Sequence, residues 1–285
     1  MEQKRTPRDH SFLLKAFRIY LQYVNSGLYF RKEHIIGLEN VPVDGTPCVV
    51  VSNNPVFNKA LRAMGLLPAY RMSHEGFSAI NKNRSTMDAA GQALTDGETL
   101  MLYPEADHQD KRWLGTFKLG YLRIAFDAAE KMNFDQDVMI LPSCNHYSNY
   151  FHARTDMLIK FDRPISLKPY YERYKESPRE VMVEVNELVR SKIQALMLHV
   201  EDLEHYDQID FLRETEYGRL YARRNGFKPN YLPSRLLADQ QFVDKMQRAS
   251  EEQPEEMERI YADIREYALG IKHLGIRDWL FRHNP

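Results

Sequence analysis

Between Gly97 and Gly120 the chain gathers residue types that can do chemistry: Glu105, His108, the adjacent cations Lys111 and Arg112, and then Lys118. A histidine oriented by a carboxylate can take a proton from a hydroxyl. Lysine and arginine side chains hold anions such as phosphate through charge-assisted hydrogen bonds. Proton transfer beside a held anion is therefore the chemistry this set can offer. The same composition also describes a solvated surface loop.

The elements that must position these residues are legible on either side. Thr99–Tyr103 is a short apolar run that reads as a buried strand, and Pro104 ends it because proline cannot donate to a sheet ladder. A helix is expected to start near Phe117 and run to about Met132, with Leu119, Leu122, Ala125, Phe126 and Ala129 at helical spacing. In an open α/β sheet, ligands bind beyond the carboxyl ends of the strands, so the loop after Pro104 is where a site is expected.

The rest of the chain supplies the sheet. Pro47–Ser52 is a continuous run rich in valine, hence a buried strand. Strands are also expected near residue 35 and over 66–70, 138–142 and 157–161, with Asn145–Tyr150 as a polar aromatic loop. Residues 77–96 read as an amphipathic helix closed by a C-cap glycine, Gly97. The fold class expected is α/β: a mixed central sheet flanked by helices, occupying residues 33–167. From about Lys168 to the end, Glu-, Arg- and Tyr-rich helices over 177–200, 209–225, 233–249 and 254–273 form a helical C-terminal region, 168–285.

Residues 1–32 read as an N-terminal amphipathic helix. Ser11, Lys15, Arg18, Gln22 and Asn25 form one polar stripe, and the remaining face is wide, apolar and aromatic. Lys4, Arg5, Arg8, Lys15, Arg18, Arg31 and Lys32 outweigh Glu2 and Asp9. Such a helix suits either a membrane interface or the surface of a domain core.

Composition excludes several classes. The formal net charge of -1 is no nucleic-acid footprint. The two cysteines, Cys48 and Cys144, sit inside apolar runs and read as buried thiols of a reducing compartment. No Cys/His cluster has metal-ligand spacing, and no stretch is long and charge-free enough to span a bilayer. His146 and His152 carry no motif, and no Gly-x-Ser-x-Gly nucleophile elbow is present.

Four segments resemble one family. Tyr103-Pro104-Glu105-Ala106, followed by Lys118-Leu119-Gly120, resembles the third signature block of the glycerolipid (1-acylglycerol-3-phosphate type, lysophospholipid) acyltransferases, with Ala106 in place of a glycine. Gly37–Pro42 resembles their Gly-x-Glu-Asn-x-Pro segment. Leu66–Arg71 resembles the second block, and Val138–Pro142 the fourth. The family's His-x-x-x-x-Asp block, which would follow the strand ending at Ser52, is missing: no histidine or aspartate lies between Asn54 and Pro68. That spacing recurs at His205–Asp210 and His273–Asp278, but both lie in the helical tail after no buried strand.

The resemblance implies acyl transfer in phospholipid biosynthesis. The donor would be a coenzyme A or acyl-carrier-protein thioester, and the acceptor a lysophosphatidic acid or glycerol-phosphate-type hydroxyl. It implies no cofactor and no metal. Arg71, Glu105, Lys111, Arg112 and Lys118 would be the substrate-binding residues, with Glu105 ordering the loop by pairing with one of the cations. The catalytic residue is open, and His108 is the candidate in the loop. The implied partners are the donor, the acceptor and a membrane surface, and the implied place is the cytoplasmic face of a membrane, peripherally bound. With the His/Asp block missing, the alternative is a catalytically impaired member that binds lipid phosphate or a membrane surface.

Overall fold

The computed structural model describes residues 30–42, 44–53, 78–105, 111–149 and 154–281. The N-terminal segment up to residue 29, the run 54–77 that holds Arg71 and the expected strand at 66–70, and residues 106–110 with His108 lie outside the described residues. So does His152.

The described strands are β1 (Phe30–Ile36), β2 (Cys48–Ser52), β3 (Thr99–Leu102), β4 (Met139–Tyr147), β5 (Thr155–Phe161) and β6 (Ile165–Ser166). They form one sheet in the order β1-β5-β4-β2-β3, with β6 beside β4. β2 runs parallel to both β3 and β4, while β5 is antiparallel to β4 and parallel to β1. The sheet is mixed, as the alternation of apolar runs and amphipathic stretches predicts. β1 begins at Phe30, so residues 30–32 are strand where the sequence reading continued a helix.

β2 lies between β4 and β3 and all of its residues are buried, which is what a run of valines covered on both faces requires. Cys48 and Cys144 are both free and fully buried. Burial pushes the Cys48 thiol up to about 12. β3 differs from expectation: it is half exposed, with Met101 open to solvent, and among the described strands it pairs with β2.

β4 overturns a second expectation. It does not stop at Pro142 but runs on through Asn145, His146 and Tyr147, all buried. A strand residue points its N–H and C=O to the same side. The Pro142 carbonyl accepts from the Asp162 N–H at 2.9 Å. The donor that proline lacks therefore faces the break between β6, which pairs with Met139 and Ile140, and β5, which pairs from Ser143 onward. No ladder bond is forfeited there.

The chain divides into two compact units, one drawn from Met1–His108 and Gly115–Leu196, the other from Gln109–Leu114 and Met197–Pro285. In the first unit, α1 (Ser78–Thr95) leads into β3, α2 (Gly120–Lys131) follows the polar loop, and α3 (Tyr171–Glu176) and α4 (Pro178–Leu196) come after β6. The unit extends past the boundary at 167 drawn from the sequence. Val181, Val185, Val189 and Ile193 form one buried stripe on α4. Tyr121 on α2 donates to Asn186 on α4 at 3.0 Å, and Phe126 stacks on Tyr174 at 4.1 Å.

Gly97 closes α1 as expected, with φ +79 and the Glu98 N–H on the Ala93 carbonyl at 2.9 Å. A Cβ there would also lie 2.8 Å from the Gly45 carbonyl oxygen, so glycine is required twice over. The second unit contains α5 (Tyr206–Glu214), α6 (Glu216–Arg224), α7 (Leu232–Glu252) and α8 (Pro254–His273). Among the described residues no helix is long and apolar enough to cross a membrane.

Candidate functional site

Because β2, β3 and β4 are parallel, their carboxyl ends emerge on one edge of the sheet. At that edge sits a buried polar cluster that the sequence reading did not single out. Ser52, Asn53, Ser143 and Asn145 are all buried. The Asn53 side-chain amide donates to the Asn145 carbonyl at 2.9 Å, and its oxygen accepts the Asn145 N–H at 2.6 Å. It thus imitates a strand residue and extends the β2–β4 ladder by one rung after the backbone of β2 has turned away. The Asn145 amide reaches back to the Ser52 hydroxyl at 3.3 Å, and the Ser143 hydroxyl donates to the Val51 carbonyl at 3.3 Å. The signal in the sequence was Asn53 directly after a β-branched run, where a polar side chain must find partners because its neighbours are buried. His146 is also buried on β4.

At the end of β3 the polar loop is pinched shut at its base. Glu105 forms an isolated antiparallel bridge with Phe117, and the Lys118 N–H donates to the Pro104 carbonyl at 3.0 Å. The Glu105 carboxylate accepts the Gly115 N–H at 2.7 Å, and Arg190 on α4 donates to the Gly115 carbonyl at 3.2 Å. Glu105 therefore ties the base of the loop through a backbone amide. Phe117, expected inside a helix, is instead bridge-paired, and α2 begins at Gly120. Lys118 is exposed just before that helix. Burial pushes the neighbouring Tyr103 phenol up to about 12.

Lys111 and Arg112 belong to the second unit, and the structure gives these adjacent cations different surroundings. Lys111 is exposed, with its ammonium 4.9 Å from the centre of the Tyr206 ring. Arg112 is 3% exposed. Its guanidinium lies 3.3 Å from Asp210 and 3.9 Å from Glu214. Its N–H donates to the Tyr206 hydroxyl at 2.7 Å, and its carbonyl accepts the Val200 N–H at 2.8 Å. Two residues on, the Leu114 N–H donates to His199 Nδ1 at 3.1 Å. Behind the same carboxylates stands Arg213, 2.6 Å from Asp210, 2.8 Å from Glu214 and 2.8 Å from Asp239. Burial pulls the Arg213 guanidinium down, but these three carboxylates outweigh it and leave it raised. Arg235 completes the network, 2.5 Å from Asp239 and donating to the Arg213 carbonyl. Among the described residues no His, Cys, Asp and Glu side chains cluster as a metal site.

Residues 49–145 match the model of a family described as Acyltransferase. No curated protein sequence matches the chain. Among similar solved structures is the 1-acyl-sn-glycerophosphate (LPA) acyltransferase PlsC of Thermotoga maritima, 18% identical, covering 65% of this chain and 79% of that one with a TM-score of 0.42. So loose an overlap transfers no residue role.

Proposed function

We propose that this chain, which carries a domain of the acyltransferase family over residues 49–145, binds an acyl thioester and a lysophosphatidic acid or glycerol-phosphate-type acceptor for acyl transfer in phospholipid biosynthesis. The observation that carries the reading is the closed loop base at the carboxyl end of β3, where Glu105 holds Gly115 and Lys118 stands exposed before α2. This is where open α/β sheets bind ligands. Lys118, exposed beside this loop base, is the cation assigned to the acceptor phosphate, and His108 is the base assigned to its hydroxyl. The donor is a coenzyme A or acyl-carrier-protein thioester, no further cofactor is required, and the reaction takes place at the cytoplasmic face of a membrane.

One observation favours a second reading: no histidine follows β2 before Pro68, where the family resemblance places its base. Loss of positioned general-base catalysis costs roughly a hundred- to ten-thousand-fold in rate. On that reading the chain binds the acceptor and does not turn it over.

The test is acyl transfer by purified protein from acyl coenzyme A and from acyl-carrier protein to lysophosphatidic acid and to glycerol 3-phosphate, beside equilibrium binding of each acceptor. Turnover abolished by His108→Ala establishes the enzyme and its base. Binding without turnover establishes the second reading, and failure of both refutes the acceptor class.

A further inference from the structure

We propose that the groove along the last turns of α8 is a docking site for a cationic amphipathic helix of a partner protein. The inference is independent of the acyltransferase reading, and every residue it uses lies in the second unit. The groove encloses about 470 Å³ and is lined by one face of α8 and the turn that follows it. Along that face Ile260, Asp263, Tyr267, Gly270 and Leu274 recur at intervals of three and four residues. This is the spacing at which one helix meets another along a seam. The side of α8 that packs on the unit's core is a different stripe, Met257, Tyr261 and Ile264. The seam is therefore left to solvent, with Tyr267 40% and Leu274 68% exposed.

Two features name the occupant. Asp263 and Glu266 line the groove, and neither forms an ion pair among the described residues. An incoming cation complements them. The seam holds no cation of its own, so a second copy laid on it seam to seam would bring none. Gly270 stands inside the helix, where glycine costs about 1 kcal/mol against alanine. Nothing lies within 4 Å of where its Cβ would be, so no contact within the described chain requires a glycine there. The dent it leaves in the seam suits a side chain arriving from another helix, and a flat bilayer would leave it unfilled.

The walls of the groove are held before anything docks. Gly275, with φ +65, closes α8: its N–H meets the Lys272 carbonyl at 3.2 Å, and the Ile276 N–H meets the Ile271 carbonyl at 3.1 Å. This turn brings Ile276 back beside Ile271. The Tyr267 hydroxyl donates to Asp278 at 2.8 Å, and its ring meets Phe211 of α5 edge-on with centres 6.0 Å apart. Asp278 in turn accepts the Glu216 N–H at the start of α6. A groove fixed in advance spares the complex the cost of ordering it.

The experiment uses the full chain and two probe helices of roughly five turns. One carries leucines at the three-four spacing flanked by lysines, and the other has glutamates in place of the lysines. Kd is read by fluorescence anisotropy, with thermal unfolding as the check on folding. Wild type is expected to bind the lysine helix at least about tenfold more tightly than the glutamate helix. Gly270→Leu fills the dent with a better helix former, so it should weaken binding about tenfold while leaving the melting temperature unchanged or higher. Leu274→Asp should weaken binding by a similar factor. Asp263→Lys/Glu266→Lys should reverse the preference between the two probes. Equal binding of both probes, no binding by wild type, or an unchanged Kd in Gly270→Leu overturns the proposal. So does dimerisation of wild type in sedimentation velocity that Leu274→Asp abolishes, which makes a second copy the occupant.

Discussion

Replacing Asn53 tests the idea that a side chain, and not the backbone, completes the central ladder at the candidate site. In Asn53→Ala the Asn145 N–H and C=O lose the partners now at 2.6 and 2.9 Å. Asn145 is only 5% exposed, so water does not readily replace them. A buried polar group left unsatisfied costs about 1–3 kcal/mol, so two such groups imply about 3 kcal/mol or more. For a unit of this size each kcal/mol moves the melting temperature by roughly 2–4 °C. The first unit should therefore melt roughly 6–12 °C lower, read by circular dichroism, with the Asn145 amide among the exchange-sensitive positions. Asn53→Asp sharpens the test. Its carboxylate still accepts the Asn145 N–H, but its second oxygen faces the Asn145 carbonyl and repels it. Protonation restores the lost donor, so the folded-state pKa of the introduced carboxyl is raised above the unfolded value. Its stabilising contribution is full below about pH 4 and is lost as pH rises through the folded value, so the variant should approach wild type on acidification. An Asn53→Ala melting point within about 2 °C of wild type, or an Asn53→Asp deficit that does not change with pH, refutes the reasoning.

Two further outcomes follow from other parts of the molecule. Arg31 on β1 grips Asp156 on β5 with two bonds of 2.8 Å, which hold the Asp156 carboxyl below the usual carboxylate range. The pair's contribution is present above about pH 4 and lost as pH falls through the folded value. Arg31 is 57% exposed but Asp156 only 4%, so Arg31→Ala leaves a buried carboxylate without this partner; wild type should exceed the variant by about 1–3 kcal/mol at neutral pH, and the gap should close in acid. A gap of equal size at neutral pH and in strong acid contradicts this. The N-terminal segment, with Lys15 and Arg18 beside a wide aromatic face, is expected to bind anionic liposomes in flotation, and Phe12→Glu/Phe17→Glu to abolish binding; equal flotation of both proteins counts against the membrane surface as a partner.

What could be read from the order of residues alone was whatever short-range periodicity encodes. Cys48–Ser52 announced a strand covered on both faces, and it is one. The stripe Leu122, Ala125, Phe126 and Ala129 announced a helix, and it is buried on that face. Gly97 announced a helix stop. Glu105 was singled out through the family resemblance as the partner of a cation; that its carboxylate accepts the Gly115 N–H came only from the fold.

Tertiary structure decided everything that depends on a partner distant in the chain. Pro142 ends a strand when only its own missing N–H is considered. It does not end β4, because the break between β6 and β5 falls opposite it. The helices after 167 read as an appendage by composition, yet α4 belongs with the sheet through a stripe whose other half lies in earlier residues. Lys111 and Arg112 were indistinguishable cations in the sequence. Their separation into an exposed lysine and a buried arginine depends on Tyr206, Asp210 and Glu214. Local propensity acts through neighbours along the chain, whereas the burial of a charge is settled by the partner that neutralises it, and that partner is brought close only by the fold.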